Sequence, residues 1–192
     1  MPINVQKLNV DMLTASGHKI HAPKGIGFLY KSPKCHIAPF IVGGGQEAGM
    51  RSGTESVPLI AALHGAINEL ESPQACILKM RELYNYAKEK ITKDGDVVIN
   101  SFDDGLPYIL NISIPGYRSE TMLHFLENKE IFVSSGSACA KGSTSYVLKE
   151  IGANEKLQDS MLRISFSNTT SKADIDNLCE ALILAKKQIR KV

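Results

Sequence analysis

The sequence predicts an α/β protein, and two patterns carry that prediction. From about residue 72 onward, short apolar runs suited to strands alternate with amphipathic helical stripes, the pattern of a small sheet covered by helices. Before that point two extended runs, Asp11 to Ala15 and Gly25 to Tyr30, are separated by a Ser16-Gly17 break, and the second is entered through Pro23 and two glycines. At 192 residues the chain is long enough for one good core or two small ones. We place a boundary between residues 1–71 and residues 72–192, where helical patterning gives way to alternation.

Composition excludes several classes. The chain is 43% hydrophobic and 22% charged with a net charge of +2, a balance that argues against disorder and against a strong nucleic-acid footprint. No apolar run approaches the ~18 residues of a membrane helix, and Met1 to Leu13 has no continuous apolar core of the kind a signal peptide needs. A cytoplasmic protein without membrane or nucleic-acid partners is expected. Cys35, Cys76, Cys139 and Cys179 lie far apart with no CxxC, which reads as reduced thiols rather than a disulfide framework or zinc knuckle.

Taken in order, Pro2 to Asn9 is too short to classify, and the two extended runs follow with Lys19 held at the end of the first. Cys35 to Val42 reads as a further extended segment. Gly43 to Thr54 is a glycine-rich loop in which Ser52 and Thr54 are placed to cap the next helix. That helix, Glu55 to Glu71, carries Leu59, Ala62, Leu63, Ala66 and Leu70 as its stripe, and Pro58 is tolerable in its first turn. Gln74 to Thr92 is a second helix, with Ile77, Leu78, Met80, Leu83, Tyr84 and Ala87 on its buried side. Strands are expected at Val97 to Asn100, Ile109 to Ile114, Ile131 to Ser134 and Met161 to Phe166. Helices are expected at Ser119 to Asn128, Thr144 to Ile151 and from Lys172 onward. The last is the best signalled: Ser171 and Asp174 form a capping box, and Ile175, Leu178, Cys179, Leu182, Ile183 and Ile189 make its stripe.

Four places carry chemistry. Ser16, Gly17 and His18 offer a hydroxyl, close backbone approach and a ring N–H that suit an anion, next to the amine of Lys19; a solvated surface lysine is the plainer reading. The glycine-rich loop ending at Thr54 reads either as a connection with a helix cap or as a hydroxyl facing an anion. Cys139, after a strand and among small polar residues with Lys141 adjacent, has the setting of a reactive thiolate, whereas Cys76 and Cys179 on helical stripes suit buried thiols. Arg163 is a charge inside the apolar run MLRISF, so it needs a partner: a structural carboxylate or one on a ligand. His18-x-x-His21 has no carboxylate or thiol nearby to complete a metal site, and no metal is expected.

Three stretches in this order, SGHK with APKGIGFLY at 16–30, GGGQEAGMRSGTESVPLIAAL at 43–63 and SSGSACAKGSTSYVLKEIG at 134–152, resemble the cysteine desulfurases of the class V aminotransferase family. The resemblance runs from about Pro2 to the last helix and covers roughly the second half of a desulfurase. It implies a truncated fold type I pyridoxal phosphate transferase, aspartate aminotransferase-like: residues 1–71 the remnant of the large cofactor domain, residues 72–192 the small α/β domain. It implies that Lys19 binds pyridoxal 5'-phosphate covalently, that Ser16, Gly17 and His18 hold the phosphate, and that Thr54 reaches the phosphate of the other subunit of a homodimer. Arg163 then takes the α-carboxylate of L-cysteine, and Cys139 takes its sulfur as a persulfide, releasing alanine, for iron–sulfur cluster assembly. Asn111, which also matches a family strand, is given a structural role. Since the family's ring-stacking residue and ring-nitrogen aspartate come from its other half, the chain by itself is expected to bind the cofactor weakly or not at all, to have little desulfurase activity, and to expose apolar surface over residues 1–70. Partners expected are a sulfur-acceptor protein or a chain supplying the other half. A non-catalytic dimerisation or sulfur-relay module and a selenocysteine lyase-like enzyme stay open as alternatives.

Overall fold

A computed structural model describes residues 3–93, 95–136 and 146–192. The chain divides into two compact units, Met1–Pro73 and Gln74–Val192.

In the first unit, β1 (Met12–Ser16) and β2 (Gly27–Lys31) pair antiparallel, with Met12 opposite Lys31 and Ser16 opposite Gly27. Between them lies one turn of 3₁₀ helix, Gly17–Ile20, closed by His21 in the left-handed region at φ 67°. The Gly17 carbonyl accepts from Ala22 N–H at 3.0 Å, so this turn tightens before the chain re-enters the hairpin. Cys35 to Val42, expected to be extended, forms no strand; its one ladder-like contact is a bridge from Ile41 to Arg51. A second 3₁₀ turn, Gln46–Gly49, leads to α1 (Val57–Asn68). The helix begins two residues later than Glu55 and ends before Leu70; Pro58 sits in its first turn, and Ser56, not Ser52 or Thr54, takes the N-cap position, without a side-chain cap bond. Of its expected stripe only Leu63 is buried, and the helix contacts the Lys19 turn.

The second unit opens with α2 (Pro73–Thr92) and continues through β3 (Val98–Ile99), β4 (Ile109–Ser113), α3 (Ser119–Glu127), α4 (Tyr146–Glu150), α5 (Glu155–Asp159), β5 (Met161–Ser165) and α6 (Lys172–Gln188). The sheet order is β3-β4-β5, antiparallel throughout. Ile131 to Ser134, expected to be a strand, contributes one bridge, Ser134 to Arg163, and α5 was not foreseen because it is a single turn. Period-two alternation explains which face is which. Leu110, Ile112, Ile114, Leu162 and Ile164 are buried in one core with Met80, Leu83, Tyr84 and Ala87 of α2, Met122 and Leu126 of α3, and Ile175, Leu178 and Leu182 of α6. The intervening positions, Asn111, Ser113 and Arg163, fall on the opposite face together with Ile109 and Met161. Leu78 was placed in the core stripe of α2 but is 72% exposed, and Cys76 and Ile91 take the buried arc instead, since the stripe follows a 3.6-residue period that Leu78 misses. Similarly Ala181 and Ala185, not Ile183, complete the buried arc of α6.

Candidate active site

Ser16, Gly17, His18 and Lys19 are brought together because the hairpin's first strand ends in the 3₁₀ turn. Ser16, His18 and Lys19 are exposed, and the Ser16 hydroxyl makes no cap hydrogen bond. Gly17 is buried. Its N–H donates to the Ile26 carbonyl at 2.8 Å, and an added Cβ would lie 3.0 Å from Ile26 and 3.1 Å from Ala22. The glycine lets the turn pack on its own hairpin, so the polar groups offered outward belong to its neighbours.

The loop before α1 is closed on itself. Ser52 is buried and its hydroxyl donates to the Gly44 carbonyl at 2.8 Å, Gly53 N–H donates to Gln46 Oε1 at 3.2 Å, and Arg51 Nη1 donates to the Ser52 carbonyl at 2.6 Å. Gly53 has φ 128°, where a side chain would be strained. Ser52, expected to cap a helix or face an anion, is therefore consumed within the loop, and Thr54 is left exposed as the outward hydroxyl.

Arg163 belongs to the second unit, on β5 directly opposite Asn111 of β4. Its backbone is held on the other side by Ser134, which donates to the Arg163 carbonyl at 3.1 Å. Arg163 Nε is buried and finds no hydrogen-bond partner among the described residues. A buried guanidinium N–H without an acceptor is a costly arrangement in a protein that binds nothing there. The side chain lines a cavity of 400 Å³ together with Asn100, Asn111, Met161, Gly136 and Val147. Gly136 is the last described residue before the Cys139 loop. Cys139 itself lies outside the described residues. Asn100 and Ser113 were missed in the sequence; the signal available was two polar residues at i and i+2, Asn111 and Ser113, inside the apolar run ILNISI.

The aminotransferase class-V family model matches residues 1–178. The chain belongs to that family. Among curated proteins it is similar to "Cysteine desulfurase IscS" of Plasmodium falciparum, 37% identical over 206 residues and covering 100% of this chain and 36% of that protein. It is similar also to "Cysteine desulfurase IscS" of Rickettsia prowazekii, 40% identical over 190 residues, with 92% of this chain and 44% of that one covered. Among solved structures, a NifS-like protein from Rickettsia africae superposes with a TM-score of 0.85 at 34% identity, over 97% of this chain and 50% of that one. "SspA in complex with cysteine" gives a TM-score of 0.65 at 33% identity, over 85% of this chain and 46% of that one. The chain thus spans half or less of the length of these relatives, and its fold is the corresponding part of a fold type I transferase. Members of the family depend on pyridoxal phosphate. The donor set of the 3₁₀ turn fits that group: an exposed amine for its aldehyde, and a hydroxyl and an imidazole for its phosphate, within four consecutive residues. No helix among the described residues is long and apolar enough to cross a membrane.

Proposed function

We propose that the chain carries the cofactor lysine, the substrate-carboxylate arginine and the sulfur-accepting thiol of a cysteine desulfurase, acting on L-cysteine as part of a homodimer. The single observation that supports this most is the chain-long similarity to cysteine desulfurases, at 37% identity over 100% of its residues. Pyridoxal phosphate, when bound, supplies the electron sink that lets bonds at the substrate's α- and β-carbons break. The residues of this chain would supply the following parts. Lys19 holds the aldehyde and, once its amine is released, moves protons at the substrate α-carbon. Ser16 and His18 hold the phosphate, Gly17 keeps their turn packed, and Thr54 reaches a second subunit's phosphate. Arg163 fixes the α-carboxylate through paired N–H donors. Cys139 as thiolate attacks the substrate sulfur: an S–S bond forms as the Cβ–S bond breaks, the electron pair stays with the three-carbon fragment, and its protonation yields alanine. The persulfide then passes to an acceptor protein, in the service of iron–sulfur cluster assembly. A cytoplasmic setting is part of the proposal, although the Arabidopsis thaliana relative, 38% identical, is named mitochondrial.

The test is the ultraviolet–visible spectrum of the purified chain after pyridoxal phosphate is added and excess removed, alongside Lys19→Ala. A band near the visible edge that borohydride fixes onto Lys19 and that is missing in the variant supports the proposal; a weak band is expected of the chain by itself. A second reading is a sulfur-relay or dimerisation module. It predicts a colourless protein whose reactive thiol is Cys139.

A further inference from the structure

We infer that Asn111 is a second carboxylate-binding residue beside Arg163, and that a chain of hydrogen bonds anchored at the Leu157 carbonyl fixes its amide with the N–H₂ end towards the substrate cavity. This rests on the reading of Arg163 as the carboxylate residue. The Leu157 carbonyl can only accept, so the Ser113 hydroxyl donates to it, at 2.7 Å. Ser113 is fully buried, and with its one proton committed its oxygen accepts from Asn100 Nδ2 at 2.8 Å. The other proton of the same Nδ2 goes to Asn111 Oδ1, also at 2.8 Å. Each partner has one orientation left once the previous one is set. The Asn111 oxygen must face Asn100, and its N–H₂ therefore points away, on the side of β4 that adjoins β5.

Arg163 is directly opposite on that side. Directly opposed residues on one face have Cβ atoms about 5 Å apart, so their polar ends reach a common ligand. Both line the 400 Å³ cavity. Its wall thus presents the Arg163 guanidinium and the Asn111 amide hydrogens, a donor pair matched to the two oxygens of a carboxylate. The anchor also matters, because Leu157 lies in α5, in the segment that follows the Cys139 loop, so the orientation of the donor depends on that segment being seated.

The experiment uses the full ¹⁵N-labelled chain, with the Arg163 Nε–H resonance and the backbone amide resonances of β4 and β5 followed while L-alanine is added, the amides being the readout for Arg163→Ala, and ethylamine as the same molecule without its carboxylate. Asn111→Asp is the informative variant. It keeps an oxygen for Asn100 and a side chain of the same size, and exchanges only the outward N–H₂ for an acceptor. We expect L-alanine but not ethylamine to shift the resonance, Asn111→Asp to weaken binding at least about ten-fold, and Ser113→Ala, which frees the amide to turn over, to weaken it by about three-fold. Arg163→Ala should abolish binding. If Asn111→Asp and Asn111→Leu both bind L-alanine as the wild type does while Arg163→Ala does not, Asn111 holds no carboxylate and the role of Arg163 stands. If Arg163→Ala still binds, or the wild type fails to distinguish the two ligands, the reading of Arg163 fails and takes this inference with it.

Discussion

At the scale of single residues, two positions show how backbone and charge are constrained for different reasons. A Cβ on Gly27 would lie 2.3 Å from the Ala15 carbonyl oxygen, a backbone atom that cannot move without opening the hairpin that presents Lys19. Gly27→Ala should cost about 1–3 kcal/mol locally, and faster hydrogen exchange of the β1 and β2 amides is the measurement that checks it. Asp176 is held below its ordinary carboxylate range first by the hydrogen bond from Lys90 and then by that from Tyr86, whose hydroxyl donates at 2.9 Å. A carboxyl with a depressed folded pKa contributes stability above its unfolded pKa, and that contribution is lost as pH falls through the folded value. Wild type should therefore be more stable than Asp176→Asn at neutral pH, with the difference shrinking as denaturation is repeated below about pH 4.

The elements of the second unit have their own signatures. Helix α6 begins with a complete capping box: Ser171 Oγ accepts from Asp174 N–H, and the Asp174 carboxylate accepts from Ser171 N–H at 2.8 Å. Ser171→Ala should destabilise the unit by about 1 kcal/mol, read as a lower urea midpoint at unchanged slope. Strand β4 is the central element, with Leu110 and Ile112 wholly buried between the neighbouring strands and the helices. Leu110→Ala should cost about 2–5 kcal/mol in the same assay, several times the effect of the cap, because it leaves a cavity that close-packed neighbours cannot fill.

At the scale of the whole molecule, the two units differ in how much apolar surface they bury. Nearly all buried hydrophobic residues belong to the second; in the first Ala22 and Leu63 are the only buried hydrophobic residues among the described residues, while Phe40 is 96% exposed and Val42 77%. Exposed apolar side chains on this scale mark a surface made to be covered, as the sequence led us to expect for residues 1–70. Dye binding by a hydrophobic fluorophore, and hydrogen exchange of Met12 to Asn68 faster than that of β4 and α6, are the expected outcomes. A first unit as protected as the second would contradict this.

The sequence by itself determined the family, the two extended runs on either side of Lys19, the course of α2, β4, β5 and α6, and the capping box, because each rests on local chemistry or on hydrophobic period, which are written along the chain. Its failures were of another kind. Whether Ile131 to Ser134 pairs as a strand, whether Leu78 is inside, and where the Ser52 hydroxyl points depend on which neighbours arrive from elsewhere in the chain. Tertiary structure alone decided that Gly17 is packed against Ile26 and Ala22, and that Asn100, Asn111, Ser113 and Arg163 gather on one face of the sheet. Those four residues span 63 positions in the chain, and only strand register sets Asn111 opposite Arg163, within hydrogen-bond order of Leu157.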